Sequence, residues 1–158
     1  MGDPTEPQDP PQELRDLLVS SPAFVNMVLP WNYADVGNWS ELQIGYRIHG
    51  LSGESLVSEQ PGDWHPEWWV FATNYFADPF IVDLRESHAG FPVRFASVGA
   101  GRWAPILVAD SAAEFIGWLE RLAQIESQPD AAASFIEAEL PRNGFWDEVA
   151  ATYREDDE

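Results

Sequence analysis

The stretch Asp63-Trp64-His65-Pro66-Glu67 brings together the residue types that most directly invite chemistry. In an extended strand, positions 63, 65 and 67 share one face, so two carboxylates and an imidazole would converge as oxygen and nitrogen ligands for a divalent cation. Pro66 disrupts a regular strand at that point, and only His49 and His88 remain as further imidazoles. The preferred expectation is therefore a solvated loop ahead of an apolar strand from Trp68, with no metal site. His65-x-Glu67 is also half of a zinc deaminase signature. The Pro-Cys-x-x-Cys half cannot occur in a chain with no cysteine.

Other chemistries are limited by composition. The absence of cysteine removes disulfides, thiolate zinc sites and cysteine nucleophiles. All eight cationic side chains are Arg, so Schiff-base lysines, the P-loop lysine and Ser–Lys mechanisms are excluded. No Gly-x-Ser-x-Gly elbow occurs. Carboxylate pairs have no diagnostic value among 27 acids. Gly99-Ala100-Gly101 lacks the third glycine and following helix of a dinucleotide loop and reads as a hairpin turn. No catalytic residue, metal ligand or cofactor is assigned.

The eight Trp offer a second kind of chemistry, because an exposed indole stacks on sugars or anchors a protein interface. Trp69, Trp103 and Trp118 fall where a core is expected. Trp64 and Trp68 flank the proline-containing loop and are the candidates for exposure.

These residues sit in a chain of 158 with a net charge of -19, long enough for one domain with a substantial core. Such a surface repels phosphate backbones and anionic lipid, so nucleic-acid and membrane partners are not expected, whereas a basic protein is attracted. General solubility is the plainer reading of the same charge. No run approaches the length of a membrane span, and residues 1–6 lack the features of a secretory signal. With the missing cysteine, this makes the cytoplasm the expected location.

The positioning elements follow from periodicity. Residues 1–11 read as a flexible Pro- and acid-rich leader, 12–154 as one domain, and 155–158 as an acidic tail. Leu14, Leu17 and Leu18 predict a short helix ending before Pro22. A second apolar stretch runs from Ala23 to Leu29 and stops at Pro30. Leu42, Ile44, Tyr46 and Ile48 alternate with polar residues, which predicts a strand with one buried face. Trp68–Ala72 predicts a central strand, and Phe80–Leu84, Phe91–Phe95 and Trp103–Val108 predict three more. Their short connections predict a meander. Ser111-Ala112-Ala113-Glu114 forms a capping box for a helix with Phe115, Trp118, Leu119 and Leu122 on one stripe. Helices are also expected over Asp130–Leu140 and Asn143–Arg154. The expected class is α+β: a largely antiparallel twisted sheet flanked by an N-terminal helix and C-terminal helices.

Several of these segments, in order, resemble a known family. They are Trp69-Val70-Phe71-Ala72, Asp78-Pro79-Phe80-Ile81-Val82-Asp83-Leu84, Pro92-Val93-Arg94-Phe95, Ala109-Asp110-Ser111, Glu114-Phe115 and Leu119. The stretch from Trp69 to Leu122 resembles the SUKH superfamily, which includes bacterial toxin-immunity proteins and fungal cell-wall assembly regulators. The chain departs from that pattern where Asn74-Tyr75-Phe76-Ala77 stands in place of glycines before Asp78. The resemblance implies an α+β fold, a non-catalytic binding role and protein partners. The residues considered for partner contact are Asp63, Trp64, Glu67, Trp68, Tyr75, Phe76 and Asp78. Asp78 reads equally as a turn cap, and Asp83 as a bond to neighbouring backbone at a strand end.

The expectation is thus a protein-binding module of the immunity type that neutralises a cognate, basic toxin domain. A regulatory or scaffold domain of the same fold is the alternative, as is a small enzyme or ligand-binding domain using the loop from Asp63 to Glu67.

Overall fold

The computed structural model describes residues 10–35, 39–47, 51–58, 60–97 and 102–155. Most of the expected leader, Ile48 of the alternating stretch, the Gly99–Gly101 turn and most of the acidic tail lie outside the described residues.

The chain forms α1 (Gln12–Ser20), β1 (Asn32–Tyr33), β2 (Trp68–Thr73), β3 (Pro79–Asp83), β4 (Val93–Phe95), β5 (Ile106–Ala109), α2 (Ala112–Ile125), α3 (Pro129–Glu139) and α4 (Gly144–Glu155). The five strands lie in sequence order in one sheet, and every neighbouring pair is antiparallel. This is the expected α+β architecture; among the described residues one α-helix precedes the sheet and three follow it. β2 is an interior strand as expected, paired on both sides, and β3 lies at the middle of the sheet.

Local chemistry sets the helix ends. Ser21 adopts a left-handed conformation at the end of α1, and its N–H donates to Leu17 O at 2.7 Å. Ser111 Oγ accepts from Glu114 N at 3.2 Å, giving α2 one of the donors that a helix start leaves unpaired. Pro129 occupies the first turn of α3, where no N–H is needed. Asn143 Oδ1 accepts from Trp146 N at 2.9 Å at the head of α4.

The two sheet faces are buried differently. Trp69, Phe71, Phe80, Val82, Val93, Phe95 and Val108 join the core against helix residues such as Leu14, Leu17, Phe115, Leu119 and Trp146. The opposite face carries Val70 and Ile81, covered by Tyr46, Trp64 and Ala96 with Leu42, Val57, Trp68 and Trp103 at the margin. A bulge between Val70 and Ala72 makes room for Phe71 in β2. Trp69 is buried as expected, but Trp103 and Trp118 are only half-buried, Trp118 standing edge-on to Trp146 at 5.9 Å.

The predicted strand over Leu42–Ile48 is not formed across its described residues. A 3-10 helix spans Trp39–Gln43 and a turn follows it. The alternation is also broken: Gln43 and Arg47 are buried and Ile44 is exposed, while Tyr46 is buried as expected. The reason is hydrogen bonding along the edge of β2. Gln43 Nε2 donates to Val70 O at 2.7 Å while Val70 N donates to Gln43 Oε1 at 2.9 Å. One side-chain amide thus replaces a strand residue. Trp39 Nε1 also donates to Val70 O, at 2.8 Å, and Arg47 donates to Pro66 O and Trp68 O. Polar side chains are buried here because the edge of β2 needs partners and β1 supplies them over only two residues.

Candidate functional site

The hairpin joining β2 to β3 is the most organised exposed feature. Asn74, itself buried, holds it together. Asn74 Oδ1 accepts from Phe76 N at 2.9 Å and Asp78 N at 3.0 Å, and Asn74 Nδ2 donates to Asp78 Oδ2 at 3.2 Å. Backbone bonds Asn74 N to Asp78 O and Ala77 N to Asn74 O close the turn. Ala77 sits at φ 68°, a region in which glycine is favoured. The hydroxyl of Tyr46 donates to Ala77 O, pinning the turn from beneath. The cap of the turn is thus the Asn74 side chain, which Asp78 supports by accepting from Asn74 Nδ2.

This turn presents Tyr75 and Phe76 to solvent, at 57% and 54% exposure. Their rings stand almost perpendicular, 5.4 Å apart. Trp31, 46% exposed, stands edge-on to Tyr75 at 5.4 Å, and Met27 lies alongside, its carbonyl accepting from Tyr75 N at 3.1 Å. The segment carrying Met27 and Trp31 is fixed from the helical side. Glu126, just beyond α2, accepts from Val25 N at 2.8 Å, Asn26 N at 3.1 Å and the Tyr153 hydroxyl at 2.8 Å. Asn26 Oδ1 accepts from Val28 N at 2.9 Å. Three aromatic rings thus form one exposed patch, with half-exposed Met27 bonded to it through its backbone, on a cross-braced support. Sequence reasoning missed Trp31 and Met27. The available signal was a Trp directly after Pro30, outside any helical or strand period.

The other expected contact residues lie elsewhere. Glu67 and Trp68 stand at the opposite end of β2 from the hairpin, where Trp68 pairs with Asp83 and Glu67 O accepts from Leu84 N. Asp63 is exposed in the preceding turn. Trp64 is a correction: it is 1% exposed and cannot be a surface anchor. It packs against Tyr46, Trp68 and Trp103 at 5.5, 5.6 and 4.9 Å, and its indole donates to Trp68 O at 3.0 Å. Proline-flanked position suggested a loop tip, but the uncovered sheet face needed a lid. His65 Nδ1 accepts from Glu67 N at 3.1 Å, so His65 braces the turn.

Beside Trp68 lies an ion-paired cleft of about 470 Å³ lined by Trp68, Asp83, Arg85, Glu86, His88 and Arg94. Asp83 accepts from Arg85 N at 2.9 Å, Arg85 Nε at 3.0 Å and Arg85 Nη2 at 2.7 Å, while Arg94 pairs with Glu86. Burial pushes the Asp83 carboxyl upward, but the Arg85 bonds and charge, with a smaller contribution from His65, outweigh it and hold Asp83 below its ordinary value. Asp83 therefore bonds neighbouring backbone at its strand end, as expected. On the second face, burial pushes the Tyr46 phenol up to about 12, assisted by the nearby negative charge of Asp78. Burial alone raises Tyr33.

Side chains bond the backbone of β2 where the short edge strand β1 does not reach, and the backbone of the edge strand β5. Gln43 and Arg47 cover β2 beyond β1. At the other edge Asn143 Nδ2 donates to Leu107 O at 3.1 Å and Trp146 Nε1 to Val108 O at 2.8 Å. Adding a partner strand at either place would require breaking these bonds. Among the described residues no group of three or more His, Asp or Glu is arranged to hold a metal, and no helix is long and apolar enough to cross a membrane. No family model, curated protein or solved structure matches the chain.

Proposed function

We propose that the protein is a non-catalytic protein-binding module whose contact face is the aromatic patch of Met27, Trp31, Tyr75 and Phe76. The observation that carries this is the locked hairpin. Asn74 and the Tyr46 hydroxyl hold the turn, with Ala77 in a disfavoured backbone region, so that two large rings face water. Exposing them forgoes burial that would contribute roughly 1.5–3 kcal/mol for a side chain of that size. Rigid aromatic anchors are the groups that dominate binding hot spots, and their pre-ordering lowers the entropic cost of association.

The resemblance to the SUKH superfamily gives this binder a biological setting. An immunity-type role in the cytoplasm, neutralising a cognate basic toxin domain, unites the resemblance, the net charge of -19 and the exposed rings. A regulatory scaffold of the same fold would use the same surface with a different partner.

Products of the genes adjacent to its own are the candidates to test, by coexpression and light scattering after size exclusion. A one-to-one complex is expected, together with relief of toxicity where the neighbour is toxic. Replacing Tyr75 and Phe76 by Ala together should weaken that complex ~30-fold or more, the equivalent of a hot-spot loss of about 2 kcal/mol. A complex indifferent to both changes would overturn the assignment of the face. No binding by any neighbouring product would overturn the immunity role.

A further inference from the structure

A cavity of about 350 Å³ opens between the end of β4, the start of β5 and the first two turns of α4, within the roughly 300–1,000 Å³ of small-molecule sites. Its floor is apolar. Phe95 and Phe145 are buried, with ring centroids 4.7 Å apart, and Ile106, 40% exposed, forms one wall. Two exposed side chains of opposite charge, Arg102 and Glu148, also line it. They do not pair with each other, and among the described residues neither side chain has another ion-pair or hydrogen-bond partner. Acids outnumber cations 27 to 8 in this chain, and Arg85, Arg94, Arg142 and Arg154 each hold a carboxylate, so an Arg kept clear of acids stands out. Packing holds Arg102 in place instead. Its side chain lies over Gly62, where a Cβ would stand 3.2 Å from Arg102 Nε, and Trp103 N donates to Gly62 O at 2.8 Å.

We propose that this cavity binds a free apolar α-amino acid as its zwitterion. The hydrocarbon side chain rests on Phe95, Phe145 and Ile106, the carboxylate meets Arg102 and the ammonium meets Glu148. Such a ligand repeats the pattern of the cavity, with two opposed charges at one end and an apolar group at the other. A simple carboxylate would answer Arg102 but add negative charge beside Glu148, in a molecule already at -19. A simple amine would leave Arg102 unanswered, and an internal apolar residue of another protein would bring neither charge. The guanidinium suits its role because its planar fork takes a carboxylate through two parallel N–H···O bonds. The cavity shares no residue with the aromatic patch, so either site can exist without the other.

The probes are L-leucine, L-alanine, N-acetyl-leucine without the ammonium, leucinamide without the carboxylate, and N-acetyl-leucinamide without either charge. Binding to the full chain is followed by ¹H–¹⁵N NMR at the Ile106, Gly144 and Phe145 amides. Salt is held at about 0.15 M, where the general field of the protein is screened beyond about 8 Å. Leucine should shift these amides saturably. Alanine should bind about tenfold or more weakly through its lost hydrocarbon, and each singly charged analogue about threefold or more weakly. Arg102→Gln and Glu148→Gln, both at exposed positions, separate the two contacts. Arg102→Gln should weaken leucine to the level at which the parent holds leucinamide, and leave leucinamide itself unchanged. Glu148→Gln should do the same with N-acetyl-leucine as the matched analogue. Arg121→Gln, which removes an equal charge from α2, should change nothing. No saturable shift by leucine would overturn the proposal. So would N-acetyl-leucinamide binding as tightly as leucine, or either cavity variant weakening leucine and its matched analogue alike.

Discussion

Asp83 is the residue whose environment differs most from that of an ordinary surface acid. It is buried, yet it receives three donors from Arg85 and is held below its usual value. Hydrogen bonds to a charged group contribute about 1.5–3 kcal/mol, and Arg85 is more than half exposed, which argues for the lower part of that range. The sign follows from the depressed value. The unfolded chain takes up the proton first, so the contribution is complete above the ordinary Asp value of 3.8 and is lost as pH falls through and below it. Asp83→Asn should therefore lower stability by ~1.5 kcal/mol at neutral pH, with the gap from the parent closing below about pH 4 in urea titrations. A gap unchanged down to pH 2 would mean that Asp83 acts by shape rather than charge. The phenols give the opposite window. Tyr46, raised to about 12, stabilises fully below pH 10 and loses that contribution between 10 and 12.

At the scale of elements, legibility depended on whether a segment's polar atoms were satisfied within the segment itself. The Ser111 capping box announced α2 because caps act over three or four residues, and the expected helices over Asp130–Leu140 and Asn143–Arg154 match α3 and α4. Strands β2 to β4 were legible on a different ground, their backbone bonding across to neighbouring strands: they are bounded by turn residues and rich in apolar side chains. The segment 39–47 was not legible. Its buried amide and guanidinium bond with Val70, Pro66 and Trp68, more than nineteen residues away on average, and no local period encodes that need. The same blindness misplaced Trp64, whose burial depends on a sheet face that lacks helices. Half of the candidate patch, Tyr75 and Phe76, was readable, whereas Trp31 joined it only through tertiary placement. Gln43→Ala tests the edge argument. It should cost about 1–3 kcal/mol by removing the partner of Val70 N–H, whose carbonyl keeps the Trp39 indole, and should promote association through the opened edge. Ala77→Gly tests the hairpin. Relief of the left-handed conformation, about 1–2 kcal/mol, should slightly exceed the ~0.4–1 kcal/mol of added unfolded-state entropy, so stability should rise by under about 1 kcal/mol. Thermal unfolding reads both.

At the scale of the whole molecule, the charge acts differently at short and long range. Nineteen net negative charges attract a cationic partner from every side when salt is low, since the screening length is about 30 Å at 0.01 M. At 0.15 M it is about 8 Å, so only acids near the contact still guide approach. The two ends of β2 separate these regimes. Asp78 belongs to the hairpin, whereas Glu67 precedes the far end of a six-residue strand, roughly 17–20 Å away. Asp78→Asn keeps an oxygen toward Asn74 and should slow association at both salt concentrations. Glu67→Gln should slow it at 0.01 M and have almost no effect at 0.15 M. Dissociation should depend instead on the rings, with Trp31→Ala and Phe76→Ala shortening the lifetime and barely changing the association rate, as anchors act mainly after encounter. Stopped-flow measurements on the cognate complex at the two salts give all four rates. Equal slowing by Asp78→Asn and Glu67→Gln at 0.15 M would place the contact away from the hairpin. A salt-independent association rate would remove the steering role of the acidity altogether.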